Sequence, residues 1–215
     1  MRFLIIVILS IFPTFLLSNT QKLQVNIFYE ISNNDTSFKE IKTKTFSKKY
    51  MSHINYGFEN KKTIWLKIDL KNLYEKENEF ILEINNPLIE DIVLYDKKGN
   101  FLLTGMLHVE HRIKSLNPSF RISLSSNQKK TYYLKISNKT TALQFSVFFK
   151  DIDSFFQEDL LKQFFIIFFI GVIFAFVLYS FILFLYTKEK SYLYYCIYIF
   201  ILIFQQLTYI GFLPL

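Results

Sequence analysis

Two long apolar runs near the C-terminus constrain this chain more than any other feature. Residues 164–186 and residues 192–213 contain no charged side chain. A helix rises about 1.5 Å per residue, so each run can cross the roughly 30 Å hydrocarbon core of a bilayer. A buried core helix is the alternative, and two such runs in tandem count against it. The short connection at 187–191 forces the two helices into an antiparallel transmembrane hairpin.

The N-terminus has the layout of a secretory signal peptide. Arg2 supplies a positive charge, residues 3–17 are apolar, and Ser18 is a small residue at a plausible cleavage point. An uncleaved signal anchor is the alternative, and either version exports the segment that follows. The numbers of Lys and Arg on the two sides of the first apolar run are nearly equal, so they do not determine which side faces the cytoplasm. The signal peptide determines the orientation of the chain instead. We expect the middle region outside the membrane and the loop 187–191 in the cytoplasm.

The middle region has the pattern of short strands separated by turns. Apolar and polar residues alternate over residues 63–70, and residues 96–100 form a Gly-containing turn. Further strands are expected at residues 80–85, 92–95, 101–103, 121–124, 131–137 and 143–149. Short strands with turns every 8–12 residues or so are typical of a β-sandwich. Helical periodicity of useful length begins only at Asp151.

These patterns divide the chain into six parts. They predict an all-β sandwich followed by a two-helix transmembrane hairpin. The parts are a signal peptide (1–18), an exported sandwich domain (19–150), a juxtamembrane helix or linker (151–163), a first transmembrane helix (164–186), a cytoplasmic loop (187–191) and a second transmembrane helix (192–213).

Composition limits the partners of the exported domain. The net charge is +7, but the positive residues are mostly Lys and are interleaved with acids. Nucleic-acid binders concentrate Lys and Arg on one face or arm, so no nucleic-acid partner is expected. A basic patch for anionic ligands or lipid headgroups is the less favoured alternative. The single cysteine, Cys196, lies in an apolar run and is expected to be a small packing residue in a membrane helix.

The sequence contains no recognisable catalytic constellation. It has no Gly-rich phosphate loop, no Gly-x-Ser-x-Gly motif and no metal-binding pair of His at helical spacing. His108 and His111 lie three residues apart in a polar segment. We expect them to be solvated, with a metal site as the weaker alternative. The sequence therefore predicts neither an enzyme nor a bound cofactor.

Three other side chains are candidates for ligand binding. Trp65 lies on the less apolar face of its strand, where an exposed ring could stack on a sugar. The favoured alternative is that it covers the edge of the core or faces the second sheet. Arg112 and Arg121 are the only Arg in the exported domain. Arg is suited to planar, bidentate contacts, so each could bind a carboxylated ligand or hold a structural ion pair.

Several segments together resemble one known family. In the exported part, the similar segments are residues 64–68, 85–95, Gly99, 104–105, Arg112 and 118–120. In the membrane part, they are Gly171, 178–179, 188–195, 206–207 and Gly211. These segments resemble the second type of extracellular sensing domain, and the first two membrane helices, of bacterial seven-transmembrane receptors with diverse intracellular signalling modules (7TMR-DISM).

The resemblance implies a jelly-roll-like sandwich similar to carbohydrate-binding modules, placed in the periplasm and anchored in the inner membrane. It implies binding of a small ligand, of which a carbohydrate is one candidate, and signalling to a cytoplasmic module. With two helices in place of seven, the chain is expected to be a receptor fragment that meets the missing helices or self-associates in the bilayer. The runner-up is a non-signalling, membrane-tethered binding or assembly module, and a hydrolase is third.

Overall fold

The computed structural model describes residues 23–33, 35–58, 62–108, 113 and 115–212. The predicted signal peptide at residues 1–18 and its cleavage point lie outside these ranges. Within them the chain forms a β-sheet domain followed by two long helices, as the sequence predicts.

The described residues form eleven strands and three helices. The strands are β1 (Leu23–Asn33), β2 (Lys48–Lys49), β3 (Ile54–Gly57), β4 (Lys62–Asn72), β5 (Asn78–Ile84), β6 (Asp91–Tyr95), β7 (Phe101–Thr104), β8 (Ser119–Leu124), β9 (Lys129–Ser137), β10 (Leu143–Phe145) and β11 (Val147–Asp151). The helices are α1 (Phe38–Thr43), α2 (Ile152–Thr187) and α3 (Lys190–Tyr209).

The strands make two facing layers. One layer is an antiparallel sheet in the order β2-β1-β4-β9-β6-β7. The other combines the sheet β11-β5-β8 with the pair β10-β3. Buried side chains from both layers form one continuous hydrophobic core. The predicted β-sandwich is therefore confirmed.

Strand β4 shows why this sequence fixes the register of the large sheet. Its residues Ile64, Leu66, Ile68 and Leu70 all point into the core and are at most 2% exposed. Burial of each such side chain contributes about 1.5–3 kcal/mol. A slip of one residue would turn all four to the outer face, so the alternation that the sequence shows determines the pairing.

The predicted hairpin turn at 96–100 joins β6 to β7 as expected. The Asp96 carboxylate accepts hydrogen bonds from the backbone N–H groups of Lys98, Gly99 and Asn100, at 2.8–2.9 Å. Gly99 has φ 95°, a conformation that side-chain-bearing residues rarely adopt. The turn sets the position of β7, which is the outermost strand of the six-stranded sheet.

Two features of the sandwich differ from the sequence-based expectation. The predicted strand 143–149 is two strands, because the chain leaves the pair β10-β3 at Ser146 and joins the other sheet as β11. Helix α1 was not predicted, because six residues are too few to show a helical period. Its start is stabilised by Ser37, whose side chain accepts a hydrogen bond from the N–H of Glu40.

The two long helices form the predicted hairpin, and both are long and apolar enough to cross a membrane. Only Lys188 and Glu189 separate them, fewer than predicted, because the helical turns continue into the polar residues. Lys188 ends α2 in the left-handed conformation, at φ 60°. Cys196 is buried between the helices, where its thiol donates to the carbonyl of Val177 at 3.4 Å.

Candidate functional site

Trp65 does not present its ring to solvent. It is 0% exposed and lies on the outer face of the six-stranded sheet, in a cluster with Ile41 of α1 and Tyr133 of β9. Its ring centroid is 5.7 Å from that of Tyr95. The less favoured interpretation, an exposed ring that could stack on a sugar, does not fit this buried position. The ring packs on the outer face and not, as the favoured interpretation has it, at the core edge or against the second sheet. The reason is α1, which covers the ring and could not be seen in the sequence.

Arg121 holds an ion pair, and His108 makes a hydrogen bond to a carboxylate. Arg121 Nη2 lies 2.5 Å from Oε2 of Glu79, and this guanidinium side chain is 59% exposed. His108 Nε2 lies 2.7 Å from Oδ1 of Asp91. His111 and Arg112 lie outside the described residues, so their predicted ligand roles stay predictions. No cluster of three or more metal-ligating side chains occurs in the described part of the chain.

Arg121, one of the residues predicted to bind a ligand, lines a surface cleft of about 430 Å³. The cleft opens between β7, the outer strand of one layer, and β8, the outer strand of the other. The described part of its walls is mainly apolar, with Ser119 and Arg121 as the polar residues. The other lining residues are Phe101, Leu102, Leu103, Ile113 and Phe120.

In the cleft, exposed apolar side chains lie near the positively charged Arg121, which is paired with Glu79. Phe101 is 63% exposed and Leu102 is 55% exposed, whereas Phe120 belongs to the core and is 4% exposed. Glu79 holds the Arg121 guanidinium, and the hydrogen bond from Arg121 is the main reason that the pKa of Glu79 lies below its ordinary value. A concave, mostly apolar site with a few polar groups is the usual form of a small-molecule site.

A buried ion cluster connects the sandwich to the first membrane helix. Lys150, the penultimate residue of β11, places its Nζ 2.9 Å from Oε2 of Glu83 in β5 and 2.5 Å from Oε2 of Glu158 in α2. The side chains of Glu83 and Lys150 are only 3% and 17% exposed. Lys150 is thus held between one carboxylate of the sandwich and one of the helix.

A second connection involves the segment 115–119, which leads into β8 and includes its first residue. Asp159 of α2 accepts a hydrogen bond from the N–H of Leu116 at 3.2 Å and is itself only 5% exposed. Its other carboxylate oxygen accepts from Gln163 Nε2 at 2.6 Å, one helical turn further on. Together with the ion cluster, this fixes the first turns of α2 on β5, β11 and the segment 115–119.

The cleft and this junction share a continuous set of hydrogen bonds. Ser119 lines the cleft, and its Oγ lies 3.2 Å from the Oγ of Ser115. The Ser115 hydroxyl donates to the carbonyl of Asn117 at 2.7 Å. Asn117 Nδ2 in turn donates to Oε1 of Glu83 at 2.7 Å. These contacts link Ser119 to Glu83, which Lys150 joins to the membrane helix.

Electrostatics favours the ionised form of both central groups. Burial is the largest influence on Glu83 and acts to raise its pKa. Hydrogen bonds from Lys150 and Asn117, with the charges of Lys150 and Lys162, outweigh burial and hold the pKa below its ordinary value. Burial acts to lower the pKa of Lys150, but hydrogen bonds to Glu158 and Glu83 and their charges raise it. Glu83 and Lys150 are therefore both charged in the neutral pH range.

The stabilisation from Glu83 should disappear in acid. Because its folded pKa lies below the unfolded value of about 4.3, its contribution is complete above that pH and is lost as the pH falls through the folded value. We expect the difference in unfolding free energy between the wild type and Glu83→Gln to be constant from about pH 5 to 8 and to shrink below about pH 4. Urea unfolding of the full chain in lipid nanodiscs, followed by the fluorescence of the single Trp, measures it.

A difference that stays constant down to about pH 3 would contradict the lowered pKa of Glu83. The raised pKa of Lys150 has the opposite consequence. Its contribution is complete below about pH 10.4 and is lost only as the pH rises through the still higher folded value. Acid, and not mild alkali, should therefore loosen the junction.

Sequence reasoning missed the junction residues, although a weak signal was present. Glu83 is the one acid within the otherwise apolar stretch 80–84, where a carboxylate in a strand needs a partner if it is buried. Glu158 and Asp159 are adjacent acids at the start of an apolar helix. Which base meets Glu83 could not be predicted, because Lys150 is distant in sequence and is brought close only by the pairing of β5 with β11.

Two family models match this chain. Residues 23–150, more than half of the chain, match the model described as 7TMR-DISM extracellular 2. Residues 162–215 match the model described as 7TM diverse intracellular signalling. No curated protein matches the chain. The matched order, an extracellular sensing domain followed by membrane helices, is the order seen in the fold. The chain therefore belongs to the 7TMR-DISM family of membrane receptors, with its N-terminal sandwich directed outward.

Proposed function

We propose that this chain is the sensory input part of a bacterial signalling receptor in the cytoplasmic membrane. A small ligand binds the periplasmic sandwich, and the change is passed to the membrane helices through the junction at β11 and α2. The observation that carries this proposal is the buried Lys150, which joins Glu83 of the sandwich to Glu158 of the helix. This ionic contact gives the sandwich and the helix a shared, poorly solvated group through which a change in one part can act on the other.

The covalent connection supports the same proposal. Strand β11 ends at Asp151 and α2 begins at Ile152, so no flexible linker separates the sheet from the helix. Helix α2 then continues without interruption to Thr187. A rigid helix that starts on the sandwich and crosses the membrane transmits a tilt or rotation of the sandwich to the other side. A ligand can drive such a change only by binding one arrangement more tightly than the other.

The ligand class is tested by a screen on the full chain in nanodiscs. Sugars, the class that the family resemblance suggests, and organic acids are compared by their effect on the thermal unfolding midpoint, measured by Trp65 fluorescence. Coupling is then measured as the distance between spin labels at Lys129→Cys in the sandwich and Lys190→Cys at the helical connector. Cys196→Ser removes the native thiol and keeps a donor for Val177.

We expect a stabilising ligand to change this label-to-label distance in the wild-type background. The matched control is a neutral triple variant that carries Glu83→Gln, Lys150→Met and Glu158→Gln. It should still bind the ligand, but the distance change should be reduced or lost. A ligand that stabilises the sandwich and leaves the distance unchanged in both proteins would contradict signalling, and would favour the membrane-tethered binding module instead.

A further inference from the structure

The cleft between β7 and β8 has a chemistry that selects among small ligands. Resting on the proposed sensory function, we propose that it binds a monocarboxylate with an apolar body, such as an aryl-alkanoic or short fatty acid. The apolar body lies against the exposed side chains of Phe101 and Leu102 at the edge of the sandwich, and the carboxylate meets Arg121 on the outer face of β8. Nothing in the family matches assigns a ligand to this cleft.

The first argument is the state of Arg121. A guanidinium carries five N–H donors in a planar fork that matches a carboxylate. Glu79 accepts a hydrogen bond from Nη2 of this guanidinium, and no other side chain in the described ranges accepts one from Arg121. The Arg121 side chain is 59% exposed, and the residue lines the cleft. Glu79 itself is held by Ser123, whose hydroxyl donates to Oε1 at 3.1 Å.

The second argument is the apolar surface beside that cation. Leu102 and Phe101 lie on the short edge strand β7 and are more than half exposed, which leaves apolar surface in water in the ligand-free protein. The volume of about 430 Å³ lies within the range typical of small-molecule sites. A sugar would need several polar partners to match its hydroxyl groups, whereas Ser119 and Arg121 are the polar lining residues among those that the structure describes. An apolar body with one anionic end fits this lining better.

The third argument is the position of the cleft relative to the junction. Arg121 pairs with Ile81 across β8 and β5, and Ile81 pairs with Lys150 across β5 and β11. Ser119 of the cleft is opposite Glu83. A carboxylate at Arg121 therefore lies on the sheet face that carries the ion cluster. A negative charge on the ligand at this position can change the electrostatic interactions of Lys150 with Glu83 and Glu158.

The test uses 3-phenylpropanoate and its primary amide, which has nearly the same shape but no charge. Binding to the full chain in nanodiscs is measured by calorimetry, with empty nanodiscs as the blank. We expect the acid to bind at least tenfold more tightly than the amide. Arg121→Gln should weaken binding of the acid at least tenfold and change binding of the amide by less than threefold.

A second variant separates a binding role from a structural one. Glu79→Gln removes the carboxylate that competes for Arg121, so we expect the acid to bind severalfold more tightly. If the pair only stabilised the fold, both variants would weaken binding alike. Lys49→Gln is the control, because it removes the same charge on β2, at the opposite edge of the six-stranded sheet.

Equal binding of acid and amide, or an acid affinity that neither variant changes, would overturn the carboxylate proposal. The sensory function would survive that result if a sugar changed the label distance. Conversely, binding of the acid without any distance change would leave the cleft assignment in place and count against signalling. The two proposals can therefore fail independently.

Discussion

Lys150→Met should lower the unfolding free energy of the sandwich by about 3–5 kcal/mol, the largest effect we expect from a single side chain at the junction. The substitution leaves Glu83 buried without its cation. An unpaired charge in a poorly solvated site loses hydration that nothing replaces. The side chain of Glu158 is 33% exposed and that of Glu83 is 3% exposed. Loss of Lys150 should therefore lower the unfolding free energy less through Glu158 than through Glu83. Urea unfolding in nanodiscs, followed by Trp65 fluorescence, measures the change.

The neutral triple variant separates the net contribution of the ion cluster from the cost of breaking it. With Gln at positions 83 and 158 and Met at position 150, the ion cluster carries no charge, and the amide oxygen introduced at position 83 can still accept from Asn117. Replacing a complete buried ion cluster by neutral residues is often close to neutral in stability. We therefore expect the triple variant to recover to within about 1 kcal/mol of the wild type. A Lys150→Met cost below about 1 kcal/mol would show instead that solvent screens the cluster.

Gly105→Ala should destabilise the sandwich by about 2–4 kcal/mol. Gly105 follows β7 and has φ 131°, which lies in a region that is almost restricted to glycine. A Cβ at this position would overlap the carbonyl oxygen of Glu90, a backbone atom that cannot rotate away. The Glu90 carboxylate also accepts from the N–H groups of Lys139 and Thr140, at 3.0 and 2.9 Å. Moving Glu90 would therefore disturb that loop as well.

Gly57→Ala is the matched control for this prediction. Gly57 also has a positive φ, of 81°, but a Cβ there would meet no atom of the described residues within 4 Å. Only the conformational cost remains, about 1 kcal/mol. The same Trp65 unfolding experiment compares both variants with the wild type. If the two substitutions cost the same, the contact between Gly105 and the Glu90 carbonyl is not as tight as the structure has it.

The strands and the long helices could be predicted because each depends on a local sequence pattern, either alternation of apolar residues or an uncharged apolar run. The alternation of Ile64, Leu66, Ile68 and Leu70 predicts a half-buried strand, and the charge-free runs predict helices that can cross a membrane. Helix α1 could not be predicted in this way. It is held by the packing of Ile41 and Phe38 on the sheet, a tertiary contact that leaves little local pattern.

The candidate site was predicted only in part. Arg121 was proposed as a ligand or ion-pair residue, and the structure places it in an ion pair at the cleft. Its partner Glu79 is 42 residues away in the sequence. Strands β5 and β8 bring the two together, and the strand pairing that does so depends on the whole core. The apolar walls of the cleft come from two different sheets and have no common sequence motif.

Local patterns were enough to establish a β-rich domain and a helix hairpin in this chain, because hydrophobic periodicity and span length act along short stretches of sequence. How the two parts are joined depends on packing in three dimensions. Glu83, Lys150 and Glu158 belong to three different elements, and their charges meet only when β5, β11 and α2 are packed. Ion pairing and desolvation depend on distances in space, which a linear sequence does not contain. The membrane hairpin was visible from the start, and its connection to the sensing domain required the fold.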